Sequence, residues 1–360
     1  MKKTVLYDEH IKQSGKMIEF TGYLLPVYYT SISEEHELVR SDFGCFDCSH
    51  MGEIMISGEN AYKFTDYLVT QNLSGPDLRM SYGFLLNENG GVVDDIMVYK
   101  YNDSKFLLVV NASNKEKDYE HIMKLFKKGK YNCDVVDMSD DISLLAIQGP
   151  NAASFLQKDL VDKLDELKMY DFKYYSILGM KFLISRSGYT GGDGFEIYGK
   201  NEDILKLYQH LTKRGMKSCG LGARDTLRFE AALPLYGQEL DMDINPLEAG
   251  LSFGVDFNKD FYGKEALSKI KEEGLKRRSV GLELLGPGIA RHGYKVYSEG
   301  KEIGYVTTGY MIPNTKDSYA VALIDRDEYK LDKEVEILVH KKFVKAKIIK
   351  KKFMDKKYQK

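Results

Sequence analysis

Apolar and polar positions in this chain follow two periods, one helical and one strand-like. Ser31-x-x-Glu34 has the form of a capping box ahead of Glu35-His36-Glu37-Leu38-Val39, with Asp42 and Gly44 as stop signals. Tyr119, Ile122, Met123 and Phe126 fall on one helical face after a second box, Ser113-x-x-Glu116, and Gly129 ends that helix. Ile204, Leu207, Tyr208 and Leu211 share a face ahead of Gly215, a C-terminal cap. Between the helices, the continuous apolar run Phe106 to Asn111 predicts a buried strand. The pattern I-x-G-x-N-A occurs at Ile56–Ala61 and again at Ile147–Ala152, each time opening an apolar stretch. Both copies read as strand, glycine turn and capped helix, which argues for an α+β core with pseudo-repeated halves.

After about residue 275 the helical period disappears. Leu282, Leu284, Val296, Ile303, Tyr305, Val306, Ala320, Val321, Leu323, Val335 and Ile337 fall in short strands, with turns at Ser298-Glu299-Gly300 and Pro313-Asn314. A separate all-β domain is expected there. The charged segment Glu265 to Arg278, bounded by Gly263 and Gly274, is the expected linker. A length of 360 residues predicts two or three domains. With 43% hydrophobic and 29% charged residues the composition is that of a globular protein. The net charge of −2 predicts no general attraction to nucleic acid or to an anionic membrane. No stretch approaches the ~20 apolar residues of a membrane span. The N-terminus turns acidic too soon for a signal peptide, so a cytoplasmic location is expected. The last twenty residues hold ten Lys and one Asp, which read as a solvated strand edge and tail or as a patch for an acidic partner.

Candidate chemistry begins with Asn87-Glu88-Asn89-Gly90-Gly91-Val92-Val93-Asp94-Asp95-Ile96-Met97-Val98-Tyr99. Two glycines make a reversal, and two carboxylates interrupt the strand that follows. Neighbouring strand residues face opposite ways, so one of Asp94 and Asp95 faces inward, where a carboxylate is costly without a task. The alternative is a solvated strand end. A second segment, Gly188-Tyr189-Thr190-Gly191-Gly192-Asp193-Gly194-Phe195-Glu196-Ile197, is a glycine-rich loop running into a strand with an embedded Glu. It lacks the spacing and Lys of a phosphate loop. The two oxygens of Glu196 suit paired N–H donors on a flat heterocycle, or else face solvent. In the third segment Arg224 and Arg228 lie one helical turn apart, either as a salt-bridged helix start or as a guanidinium fork. The loop Tyr236 to Leu251 shows structure but no chemistry. Cys45 and Cys48 form C-x-x-C, but no second pair stands at a matching spacing, so buried thiols are expected and no metal site. No H-E-x-x-H, nucleophile elbow or G-x-G-x-x-G after a strand is present, and the seven His are scattered.

Taken in order, the motifs closely resemble the aminomethyltransferase, or T-protein, family of the glycine cleavage system, nearly end to end. The carriers are Phe46-Asp47-x-Ser49-His50-Met51-Gly52-Glu53, Leu86-Asn87-x-x-Gly90-Gly91-x-x-Asp94-Asp95, Val109-Val110-Asn111-Ala112, Gly188-Tyr189-Thr190-Gly191-x-Asp193-Gly194-Phe195-Glu196, Arg224-Asp225-x-Leu227-Arg228-x-Glu230, Pro246-Leu247-Glu248-Ala249-Gly250-Leu251 and Val306-Thr307-x-Gly309. The resemblance implies an α+β fold with three domains in a cloverleaf around a central folate channel. These would be residues 1–53 with 145–264, residues 54–144, and an all-β, jelly-roll or barrel-like domain at 275–360. It implies transfer of an aminomethyl carbon from the dihydrolipoyl arm of a carrier (H-protein) to tetrahydrofolate, the one-carbon acceptor, with release of ammonia. Asp95 matches the family's essential aspartate, Glu196 its pterin-binding carboxylate and Arg224 its substrate-contacting arginine. Tyr82, Tyr189 and Asn111 are expected in the same channel, and Tyr358 matches a C-terminal tyrosine contact. A monomer is expected. The chain departs from the family pattern at Gly192 (usually Glu), Cys48 (usually Val) and Tyr23 (usually Trp). Two other readings are a tetrahydrofolate-dependent demethylase on the same fold and a non-catalytic folate-binding module for iron–sulfur assembly. The latter relatives carry Lys-Gly-Cys-Tyr-x-Gly-Gln-Glu, and here Leu221-Gly222-Ala223-Arg224-Asp225 holds no cysteine.

Overall fold

A computed structural model describes residues 1–358. Two five-stranded antiparallel sheets and a closed six-stranded barrel form the framework, with a small three-stranded sheet from the N-terminal segment. The first large sheet runs, in spatial order, Phe172–Ile177, Met180–Arg186, Gly194–Lys200, Ile142–Gln148, Gly44–Asp47. The second runs Arg79–Leu86, Val92–Asn102, Lys105–Val110, Gly52–Ser57, Asp134–Asp137. The barrel strands lie between Arg277 and Ile349.

Strand alternation explains how the large sheets meet. In the first sheet Leu145, Ile147, Phe182, Ile184, Phe195 and Ile197 face the helix Asn201–Lys213 and its buried Ile204, Leu207, Tyr208 and Leu211. The opposite face presents Leu144, Ala146, Leu183 and Tyr198. In the second sheet Ile54, Ile56, Ile96, Val98, Phe106 and Leu108 face the helices Ala61–Leu68 and Lys115–Gly129. Its other face carries Tyr99, Leu107 and Val109 into the same cluster as Leu144, Leu183 and Tyr198. The two sheets thus share one core through the faces turned away from those helices, joined there by Val39 of the helix Ile32–Ser41 and by Ala223 and Leu227 of the helix Leu221–Glu230. Each large side chain buried there contributes roughly 1.5–3 kcal/mol. Cys48-Ser49-His50-Met51 crosses from the last strand of one sheet to Gly52–Ser57 of the other, at the edge of this shared face.

Several local expectations change. Ser31 caps the helix Ile32–Ser41, its Oγ accepting from the Glu34 N–H at 3.2 Å. The second box does not form. Residues Ala112–Asn114 make a 3₁₀ turn, and the α-helix starts at Lys115 with no side-chain cap. The Asn111 N–H, just ahead of the turn, is taken instead by Asp94 from the neighbouring strand. Both I-x-G-x-N-A copies are strand, glycine and helix, with Gly58 and Gly149 at φ +128° and +133°. Their Asn residues do not cap: Asn60 accepts from Asn132 and Asn151 donates to Asp42. The segment read as a linker is the helix Lys264–Glu273, pinned by buried Leu267 against the Gly90 turn. The Lys-rich strand Lys342–Ile349 is no edge, because pairing on both sides closes the barrel.

Candidate active site

Past a register shift near its start, the strand Val92–Asn102 sends Ile96 and Val98 toward the helices and Met97, Tyr99 and Tyr101 into the shared face. Gly90 turns the chain at φ +83°, and a Cβ on Gly91 would overlap the Met242 carbonyl, so this reversal needs its glycines. Asp94 therefore goes to the helix side and Asp95, Met97 and Tyr99 to the sheet–sheet side. The expectation of one inward and one outward carboxylate needs correction: Asp94 is the more deeply buried, with no exposed surface, and Asp95 is half-buried.

Each aspartate has its own donors. Tyr82 Oη donates to Asp95 Oδ2 at 2.9 Å, and Asn111 Nδ2 to Asp95 Oδ1 at 3.0 Å. The same Asn111 Nδ2 lies 2.9 Å from Asp94 Oδ1, so one amide bridges the pair. Asp94 also accepts from the Asn111 N–H at 2.9 Å and Asn114 Nδ2 at 2.5 Å. Burial and the adjacent Asp94 charge raise the Asp95 pKa above the usual carboxylate range, outweighing the lowering by Tyr82 and Asn111. Burial and the Asp95 charge push the Tyr82 phenol far up, so it stays a donor.

Glu196 faces this strand from the opposing sheet. Its Oε2 accepts from Ser187 Oγ at 2.7 Å and Tyr99 Oη at 3.3 Å, and no described residue donates to Oε1. Tyr99 lies four residues beyond Asp95 on the same face, about 13 Å along the strand. Its hydroxyl also meets Tyr198 Oη at 2.8 Å and Ser185 Oγ at 3.1 Å. Sequence reasoning missed Tyr99 and Ser187. Odd-position register with Asp95 could have flagged the first, and the second sits inside the glycine loop.

The two arginines divide. Arg228 is buried, with Asp225 at 2.7 Å and Glu239 at 2.9 Å, and Glu239 Oε1 accepts from Thr307 and Thr308 of the barrel at 2.6 and 2.7 Å. The loop that showed no chemistry in sequence thus supplies the joint to the barrel. Arg224 has no carboxylate partner among the described residues and lies over the Tyr189 ring, 4.8 Å from its centroid. The Tyr189 hydroxyl donates to the Pro234 carbonyl. Tyr82 and Asn111 thus meet Asp95 directly, Arg224 meets Tyr189, and Glu196 joins the Asp95 strand through Tyr99. Tyr358 is half-buried near Tyr170 and Arg40, next to Lys357, whose N–H donates to the Gly191 carbonyl of the glycine loop at 2.9 Å. Gly192 needs no special backbone, and a side chain there would have room. Tyr23, in place of Trp, accepts from Lys115 Nζ at 2.8 Å. Cys45, Cys48 and Cys219 are buried thiols, all pushed up chiefly by burial.

Fold and site together define a class: an α+β enzyme with a C-terminal barrel and a half-buried carboxylate set between two sheets. Residues 6–259 match the GCVT N-terminal domain and residues 277–355 the glycine cleavage T-protein C-terminal barrel domain. The aminomethyltransferase of Thermoanaerobacter pseudethanolicus is 50% identical over 100% of this chain and 99% of its own length. That of Alkaliphilus metalliredigens is 48% identical over 100% and 99%. The crystal structure of glycine cleavage system aminomethyltransferase T from Bartonella henselae superposes with a TM-score of 0.93 at 30% identity, covering 100% of this chain and 99% of that one. This chain belongs to the aminomethyltransferase (T-protein) family of the glycine cleavage system.

Proposed function

We propose that the protein takes an aminomethyl group from the dihydrolipoyl arm of a lipoyl carrier protein and passes its carbon to tetrahydrofolate, giving 5,10-methylene-tetrahydrofolate and ammonia. The observation that carries this reading is the pairing of two carboxylates across one face. Asp95 is held by Tyr82 and Asn111, and Glu196, joined to the same strand through Tyr99, has no described residue donating to Oε1. An extended ligand with a flat amino-heterocycle at one end can meet both. Glu196 accepts from the pterin edge, and Asp95 orients N10 for attack on the iminium-like carbon that forms as sulfur departs. Holding the two reactants in line supplies more of the rate than proton removal does. As the carbon arrives, N10 loses its proton to Asp95 directly or through a water; the amine then takes up a proton and leaves as ammonia, and N5 closes the second bond to the same carbon with loss of its own proton. Tyr82 holds the carboxylate in place throughout. Arg224, over the Tyr189 ring and without a carboxylate partner among the described residues, is the guanidinium for a substrate carbonyl or carboxylate. The folate sits in a central channel bounded by three domains, residues 1–53 with 145–264, 54–144 and 275–360. Tyr358 reaches it only through the glycine loop or the folate tail.

The reading places the enzyme in the cytoplasm as a monomer that meets its carrier in solution. Among the described residues no helix is long and apolar enough to cross a membrane.

Ammonia release from an aminomethylated lipoyl carrier, with and without tetrahydrofolate, tests the reaction. Fast release only with both substrates is expected, and turnover with a free methyl donor would count for a demethylase instead. Glu196→Ala is expected to weaken tetrahydrofolate binding by roughly 2 kcal/mol, the worth of a charge-assisted hydrogen-bond pair. Equilibrium titration checks this, and an unchanged affinity would remove Glu196 from the pterin site.

A further inference from the structure

Asp118 lies in the first turn of the helix Lys115–Gly129, behind the site as seen from Asp95. It is fully buried, and no N–H or O–H of a described residue reaches either carboxyl oxygen. The group within hydrogen-bond reach is the carboxyl of Asp94. Two carboxylates in contact without water cannot both ionise, so one proton must lie between them. Asp94 already accepts from the Asn111 N–H, Asn111 Nδ2 and Asn114 Nδ2. No donor among the described residues reaches Asp118, which is left to hold the proton.

We propose that Asp118 is a positioning residue: a neutral carboxylic acid that donates to Asp94 and so fixes the Asn111 amide that orients Asp95. The proposal rests on the reading of Asp95 as the reacting carboxylate. The chain of contacts runs Asp118, Asp94, Asn111 Nδ2, Asp95 Oδ1, each within hydrogen-bond reach of the next. A neutral Asp118 keeps the three-carboxylate group at the charge its donors can balance. The other titratable groups facing it are Lys117 and Tyr236. Lys117 Nζ donates to the Val93 carbonyl at 2.5 Å and to Tyr236 Oη at 2.8 Å, and Tyr236 donates to the Val92 carbonyl at 3.2 Å. Neither bonds to Asp118. Burial and the Asp94 charge agree in raising the Asp118 pKa.

The full-length enzyme, Asp118→Asn and Asp118→Ala provide the test. An infrared difference spectrum, wild type minus Asp118→Asn near neutral pH, is expected to contain a protonated-carboxyl carbonyl stretch that shifts in heavy water. Its absence would overturn the proposal whatever the activity. Asp118→Ala is expected to lose about tenfold in kcat, the effect of one misplaced hydrogen bond, with KM for tetrahydrofolate within about twofold. Asp118→Asn, whose amide can donate as the acid does, is expected to restore most of that loss. Full turnover in the Ala variant, or equal damage in both, would refute the positioning role. Linkage gives a further readout if the Ala variant folds poorly. In the unfolded chain Asp118 ionises near ~3.9, but the folded state keeps its proton. Folding therefore takes up a proton above that pH, and the wild type loses stability as pH rises. The Tm advantage of Asp118→Asn should grow from about pH 5 to about pH 8, and a constant difference would count against the proton. If the carbonyl band is present while the wild type fails to transfer aminomethyl groups, the carboxyl pair stands and the functional reading falls.

Discussion

Asp95→Asn is expected to cost about 10²–10⁴-fold in turnover while tetrahydrofolate affinity changes by no more than a few-fold. The substitution keeps the shape and one oxygen, so an acceptor remains for Tyr82 or Asn111. It removes the charge that holds N10 and can take its proton. Binding depends chiefly on contacts farther along the cleft, so it survives. Single-turnover transfer from the loaded carrier, set beside equilibrium titration of folate, separates the two effects. Unchanged turnover would remove Asp95 from the reaction. The pH dependence has a definite sign. The reactive form is the carboxylate, and burial beside Asp94 raises its pKa. Wild-type turnover should therefore climb with pH through a value above the ordinary carboxylate range, a limb the Asn variant should lack.

The largest stability effect is expected at Arg228. Its guanidinium is buried between Asp225 and Glu239, and Glu239 is buried too. Arg228→Ala leaves the Glu239 charge without its partner in a place water does not reach. Removing one member of a buried pair costs about 3–5 kcal/mol, most of it the penalty on the group left behind. Glu239 also ties Thr307 and Thr308 to the loop, so the barrel should loosen where it meets the helix Leu221–Glu230. Denaturant unfolding with a barrel-specific probe such as hydrogen exchange at Thr307 and Thr308 would show it. A loss below about 1 kcal/mol would mean that the pair is hydrated. Arg228→Lys should recover little, because one ammonium cannot reproduce the forked contacts to two carboxylates. Arg224→Met, one turn earlier at an arginine with no carboxylate partner among the described residues, is expected to leave stability nearly unchanged, which thermal unfolding can check.

Much of this was legible in the order of residues. Helical faces at Ile204–Leu211 and Tyr119–Phe126 and the all-β texture after residue 275 needed only side-chain spacing. Asp94-Asp95 and Glu196 stood out because a carboxylate inside a strand is locally inconsistent. Other features were not legible, for physical reasons. Ser113 looked like a cap, but it lies inside the 3₁₀ turn Ala112–Asn114, so it does not stand at the boundary where a cap would act. The charged segment after Gly263 looked like a linker, yet one apolar face ending at Leu267 was enough to fold it onto the core as a helix. Arg224 and Arg228 looked equivalent because sequence spacing records the helix and not what packs against each side of it.

The sequence by itself determined the strongly periodic helices and strands, where the all-β part begins and which carboxylates break local rules, since these follow from periodicity and backbone preference within a few residues. Only the tertiary structure decided that Asp94 is the buried partner and Asp95 the half-exposed one, that Tyr99 joins the Asp95 strand to Glu196, and that Asp118 closes a three-carboxylate cluster. Each of these depends on hydrogen bonds and desolvation between groups brought together from distant parts of the chain. Neither is encoded in the neighbours of any one residue.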